Sequence, residues 1–167
     1  VKVVVVDTTK TEVAEGAIVV EVVNKNGIST NALAHTFKLK VKDDSEFDIS
    51  KLSIRYYFTN EELGVGTNCW IDTAAAQYTC APWYVSLGGS VNANVYEVEN
   101  STDLADSYLE VSFSNTDAVM NSAATLSVNI RVAKTDWSSY TQSNDFSYIN
   151  GAALYYDDVL ISGYEPN

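Results

Sequence analysis

The feature that most limits what this chain can fold into is an apolar pattern with a period of two. In Phe37-Lys38-Leu39-Lys40-Val41-Lys42 three apolar side chains face one way and three lysines the other. Successive strand side chains point to opposite faces, so such a run reads as a half-buried strand, and on a helix its two faces would be scrambled. Similar runs occupy 18–23, 52–58, 93–98, 108–113, 126–132 and 153–161. Turn chemistry separates them, at Asn26-Gly27, Asp43-Asp44-Ser45, Gly64-Val65-Gly66, Gly88-Gly89, 100–103 and Asn150-Gly151. Pro82 and Pro166 lie outside the runs, where a missing amide N–H costs a sheet nothing. Segments 74–77 and 118–124 are expected to hold a helical turn at most. The pattern predicts an all-β fold, an antiparallel, jelly-roll-like sandwich of about nine strands.

With 167 residues, 46% of them apolar, the chain fits one domain with a sizeable core, expected over 17–167. The first sixteen residues stand apart as an added edge strand or a linker. Val3-Val4-Val5-Val6 left exposed would be an aggregation hazard, so this run is expected to pair with the sheet. The net charge of -12 argues against nucleic acid or an anionic membrane as a partner and suits a neutral ligand. No run of 18 apolar residues is present to span a membrane. The start at Val1 carries no signal-peptide pattern, as expected of a mature module or an excised piece of a longer protein. Cys69 and Cys80, the two cysteines, have no His/Cys cluster beside them, which argues against zinc. They are either a disulfide stapling a short loop of an exported protein, the favoured expectation, or two separate thiols.

Catalytic constellations are scarce. The single histidine, His35, opens the lysine-bearing strand with no Ser or Cys nucleophile beside it, so a satisfied structural or surface histidine is expected. Carboxylates pair at Glu61-Glu62, Asp106/Glu110 and Asp157-Asp158, but in so acidic a chain solvated loop charges are the default reading. Glycosidase chemistry needs two carboxylates set across a cleft, and nothing in the spacing singles out such a pair. A non-catalytic protein is therefore expected.

The aromatic residues point to binding. Trp137 sits in the polar run Lys134-Thr135-Asp136-Trp137-Ser138-Ser139-Tyr140, six residues after Arg131, and Trp83-Tyr84 follows a Cys-Ala-Pro turn. Such residues are either core plugs or a sugar-stacking face, since an aromatic ring matches the CH face of a pyranose. Next in sequence, Thr141-Gln142-Ser143-Asn144-Asp145 offers carbonyl, amide and carboxylate oxygens of the kind calcium takes, although Asn-Asp also caps turns. Thr59-Asn60-Glu61 could supply further oxygens from a second loop.

Residues 131–147, read as Arg-x-Ala-Lys-x-Asp-Trp-Ser-x-Tyr-Thr-Gln-Ser-Asn-Asp-Phe-Ser, closely resemble family 3 carbohydrate-binding modules, the cellulose-binding sandwiches of bacterial cellulases and cellulosomal scaffoldins. Segments 48–59 and 108–113 and the ending Val159-Leu160-Ile161-Ser162-Gly163-Tyr164-Glu165-Pro166 extend the resemblance from about Ile18 to Pro166. It implies one structural calcium held by Thr59, Glu61, Thr141, Asn144 and Asp145, with Glu61 standing where relatives usually carry Asp. It also implies a planar strip for cellulose or a related β-glucan, matched by Asp72, Arg131 and Trp137. The family's histidine beside that aspartate is replaced by Thr73, and its strip tyrosine falls where this chain is about two residues longer, so Trp83 or Tyr84 is expected to substitute. Polar anchors match Asn26, Asn31 and Asn129. The implied protein is an extracellular, secreted or cell-surface one in which this module is a monomeric part. The alternatives are a helper or structural module attached to a glycoside hydrolase, with weak or no binding to crystalline cellulose, and a polysaccharide-sensing ectodomain.

Overall fold

A computed structural model describes residues 10–12, 16–61 and 64–166. In chain order its strands are β1 (Lys10–Glu12), β2 (Ile18–Asn24), β3 (Ser29–Thr30), β4 (Leu33–Val41), β5 (Phe47–Asp48), β6 (Leu52–Phe58), β7 (Thr67–Tyr78) and β8 (Tyr84–Ser86). They continue as β9 (Val91–Thr102), β10 (Ala105–Phe113), β11 (Val119–Met120), β12 (Ala124–Lys134), β13 (Tyr140–Thr141), β14 (Ala153–Tyr156), β15 (Val159–Ser162) and β16 (Tyr164–Pro166). Two five-stranded antiparallel sheets carry the fold, one ordered β15-β14-β6-β10-β9 and the other β2-β4-β12-β7-β8. Two-stranded ribbons β1-β16, β5-β11 and β3-β13 trim the ends. Ten strands in two layers match the expected sandwich. Among the described residues, no helix is long and apolar enough to cross a membrane.

The period of two is what sorts side chains between the layers. Along β12, Leu126, Val128, Ile130 and Val132 are buried, while Thr125, Ser127, Asn129 and Arg131 face outward. Phe37 and Leu39 from β4 and Ile54, Tyr56 and Phe58 from β6 join them in one cluster between the sheets. Each such side chain stabilises the fold by about 1.5–3 kcal/mol relative to leaving it exposed.

On β6 the alternation breaks, because Tyr57 is buried directly after Tyr56. The short helix α1 (Phe146–Asn150) packs on the outside of that sheet and gathers Tyr57, Ala105, Phe146, Ala153 and Tyr155 into a second apolar cluster. Beside it Arg55 pairs with Glu110 at 3.1 Å and lies 4.8 Å and 4.6 Å from the ring centres of Tyr108 and Tyr155. Much of the tyrosine surplus is therefore engaged in packing on this outer face.

Three expectations need correction. The segment between the cysteines is the long strand β7, with Ala74 and Ala76 turned into the core, and holds no helical turn. Cys69 and Cys80 stand near opposite ends of that extended run as free thiols. Eleven residues of strand span about 36 Å, whereas a disulfide needs Cα atoms within about 7 Å. The run 153–161 is the hairpin β14-β15, turned at Asp157 and Asp158, whose φ angles of 51° and 65° fit a tight two-residue connection. The expected pairing of Val3-Val4-Val5-Val6 lies outside the described residues.

Candidate functional site

Two neighbourhoods collect the residues singled out in sequence. The first joins the loop after β6 to the end of β13 and the segment that follows it. Thr59 donates its backbone N–H to Asp145 Oδ1 at 2.8 Å, and its hydroxyl lies 2.9 Å from the same oxygen, 3.0 Å from Asn144 Oδ1 and 3.3 Å from Glu61 Oε1. Thr141 donates its N–H to Glu61 Oε1 at 3.0 Å. All five expected ligands are thus brought together. Asp145 is fully buried, and its Oδ2 has no hydrogen-bond partner among the described residues. Burial pushes its carboxyl up to about 7; the charges of Glu61 and Asp106 push the same way, and hydrogen bonds from Thr59 oppose them.

That donor set tests well for a hard cation. Oxygen is the only donor type present, two of the groups are carboxylates, and a buried carboxylate oxygen is left over for a ligand. A lone buried carboxylate is costly, and a cation of calcium's preference relieves it. Among the described residues no group of three His, Cys, Asp or Glu side chains forms a metal cluster. The set here is of a different composition, with a hydroxyl and an amide oxygen beside two carboxylates.

The second neighbourhood is the outer face of the sheet β2-β4-β12-β7-β8. A bulge between β7 and β12 at Asn129/Ile130 inserts one extra residue, so Asp72 and Thr73 are both exposed. Asp72 then meets Arg131 in a two-pronged pair, with Nε–Oδ2 2.9 Å and Nη2–Oδ1 2.9 Å. The guanidinium holds the Asp72 carboxyl below the usual carboxylate range. Thr73 accepts from Asn129 Nδ2 at 2.5 Å, and Asn129 Oδ1 accepts from Thr36 and from Lys25 Nζ. Arg131 lies 5.3 Å from the ring centre of Trp70, its cross-strand partner, and Trp70 stacks with Trp137 at 5.7 Å and 21°.

Trp137 is 52% exposed and sits in a braced loop. Its N–H donates to Lys134 O at 3.0 Å, and the Asp136 carboxylate accepts from both the N–H and the hydroxyl of Ser138. Lys134 is buried beneath it, donating to Ser139 O at 3.1 Å and standing 4.6 Å from the Tyr140 ring centre.

Not every expected residue joins this row. Trp83 and Tyr84 are exposed in the β7-β8 hairpin, with Tyr84 opposite Gln77 on β7. Gln77 is seven residues from Trp70, about 23 Å along the strand. They occupy the far end of the same sheet and not the immediate flank of Arg131. Asn26 braces its own turn by donating to Ala32 O at 2.7 Å, while Asn31 is exposed at the tip of that turn. Trp70 and Lys134 were missed in sequence. Trp70 lies in a segment read only as an Ala-rich stretch between two cysteines, and its place shows once the register sets it opposite Arg131. Lys134 looks like any loop lysine until its burial is seen.

The sequence model of a family described as Cellulose binding domain matches residues 19–166. The chain is 34% identical over 160 residues to Cellulosomal-scaffolding protein A of Acetivibrio thermocellus, a match covering 90% of this chain and 8% of that protein. It is 30% identical over 154 residues to Endoglucanase A of Paenibacillus lautus, covering 86% and 20% respectively. The chain thus spans a fifth or less of the length of these relatives. Among solved structures, a CBM3a-L domain with flanking linkers from a scaffoldin of the Clostridium thermocellum cellulosome matches with a TM-score of 0.83 and 32% identity, covering 93% of this chain and 95% of that one.

Proposed function

Since the chain belongs to the cellulose binding domain family over residues 19–166, we propose that it is a non-catalytic module that lays the outer face of β7 and β12 on cellulose or a related β-glucan. The observation that carries this reading is the row Trp137, Trp70, Arg131 and Asp72, in which an exposed indole is stacked from behind and a guanidinium is locked by a carboxylate. Ring faces bind the CH surface of a sugar, and a fixed guanidinium–carboxylate pair presents donors and acceptors to its hydroxyls. Prior stacking and pairing lower the ordering cost of binding. Trp83 and Tyr84 give a second aromatic patch about 23 Å along the same sheet, which suits an extended polymer. Asn129 and Thr73 supply hydroxyl partners between the two patches, and Asn31 lies on an adjoining loop.

In the same reading Thr59, Glu61, Thr141, Asn144 and Asp145 would hold one structural calcium. The unpartnered Oδ2 of buried Asp145 supports this. A bound calcium would neutralise the paired acids and leave the chemistry of the sugar face untouched. The relatives include scaffolding proteins and an endoglucanase, so we place the module, as a monomeric part, in a larger extracellular polysaccharide-degrading protein.

Depletion from solution onto microcrystalline cellulose tests the sugar face. Wild type is expected to leave the supernatant. Trp137→Ala should weaken binding about tenfold, given that stacking on an aromatic ring contributes on the order of 1 kcal/mol and that Trp70 loses its partner. Equal retention in solution of both proteins would overturn the cellulose assignment.

A further inference from the structure

Charge is distributed unevenly over this molecule. Against 22 acidic residues the chain has 10 basic ones, yet Lys25, Lys38, Lys40 and Arg131 are exposed on or beside the one sheet face that carries the aromatic row. Two of these cations are already committed, Arg131 to Asp72 and Lys25 to Asn129. Lys38 and Lys40 are not: among the described residues neither ammonium has an ion pair or hydrogen bond. Glu21 stands opposite Lys38 in the β2-β4 register without closing a salt bridge.

Their position argues against a merely protective role. Charged residues that guard a sheet belong on edge strands, whereas β4 is paired on both sides, with β2 and with β12. Across β12, Lys38 faces Ser127 and Lys40 faces Thr125, and beyond them on β7 lie Ala75 and Gln77. The two ammonium groups therefore rise above a carpet of short side chains. They are about 7 Å apart along the strand and one strand, about 5 Å, from β12. A chain lying between the Trp70 and Tyr84 ends of the face follows β7, two strands or about 10 Å from β4, so the lysines flank it across β12.

We propose that Lys38 and Lys40 form a carboxylate-reading lane flanking the aromatic row, so that this face takes a β-glucan surface carrying acidic (uronic-type) carboxylates in preference to the neutral polymer. The inference rests on the polysaccharide reading of the same face. It runs against the net charge: a chain at -12 is repelled by an anionic surface unless a local cationic lane meets it. Exposed pairs of this kind are individually weak and screened by salt, so the preference is modest and salt-dependent.

The test compares adsorption to cellulose and to the same cellulose with part of its primary hydroxyls oxidised to carboxylates. Each is measured at low salt and at about 1 M salt, where the Debye length is about 3 Å. Wild type is expected to bind the carboxylated polymer about fivefold more tightly at low salt, two exposed ion pairs being worth that much together. The preference should vanish at high salt. It should also vanish in the double variant Lys38→Gln/Lys40→Gln, whose affinity for neutral cellulose stays unchanged. Equal or weaker binding of wild type to the carboxylated polymer, or a preference that the double variant keeps, overturns the lane alone. Failure of wild type to bind either polymer instead overturns the polysaccharide reading, and the lane falls with it.

Discussion

His35 enters the core with its ring 4.2 Å from that of Tyr56 and with neither nitrogen hydrogen-bonded among the described residues. Burial lowers its pKa to about 3, against 6.5 when exposed. The native state therefore refuses a proton that the unfolded chain accepts. Above pH 6.5 the ring is neutral in both states and makes no pH-dependent contribution. As pH falls from 6.5 toward 3, stability is lost at about 1.4 kcal/mol per unit. Replacing the ring by one that cannot titrate, as in His35→Phe, should remove about 3 kcal/mol of that loss at pH 4. Denaturant melts of both proteins at pH 7 and pH 4 measure it; parallel losses in the two would assign the acid sensitivity elsewhere. The expectation from sequence is a satisfied structural or surface histidine; the ring is buried against Tyr56 and Phe37, but its nitrogens are not satisfied among the described residues.

At the scale of the element, local pattern and distant register divide what could be read from the chain. Strands β4, β10 and β12 were legible because each alternates within its own few residues, and β2 and β6 because they are rich in β-branched and aromatic residues. β7 was not, because alanine has weak strand preference and Ala74 and Ala76 are strand residues only through the core they fill. The same gap hid Trp70, whose role depends on facing Arg131 across a ladder. The two oxygen-rich runs 59–61 and 141–145 stand out by local chemistry, whereas the choice of five residues among them comes from the family resemblance. At the β15-β16 connection, Gly163 has φ 83° and a side chain there would run into the carbonyl of Ala152. At Gly151, φ is 87° but the space is open. Backbone strain alone costs about 1–3 kcal/mol, so Gly163→Ala should destabilise more than Gly151→Ala. At about 2–4 °C per kcal/mol for a chain this size, the gap should be several degrees in Tm. Equal melting temperatures for the two variants would show that the carbonyl yields.

Across the whole molecule, the proposed calcium has a mechanical position as well as a chemical one. Thr59 and Glu61 follow β6 of one sheet, whereas Thr141, Asn144 and Asp145 follow β12 of the other. A cation between them would tie the two layers together at one end of the sandwich. A ligand that binds only the folded state at about a hundred times its Kd adds about 2.7 kcal/mol. Adding calcium to chelator-stripped protein should then raise Tm by about 5–10 °C, and Asp145→Asn should lose most of the rise. An unchanged Tm in stripped wild type would remove the cation from the fold.

The ribbon β1-β16 fixes the geometry in which a pull on its two strands would act. Lys10 pairs with Pro166 and Glu12 with Tyr164, so the strand entering the domain and the strand leaving it run side by side with their outer ends together. Tension drawn through those two ends pulls the strands apart like a zipper, one rung at a time, and does not shear all rungs at once. The ribbon yields first, giving slack before force reaches the sandwich. On the proposed reading, a module bound through the outer face of β7 and β12 and pulled from both ends would let this ribbon open before the pull reached that face.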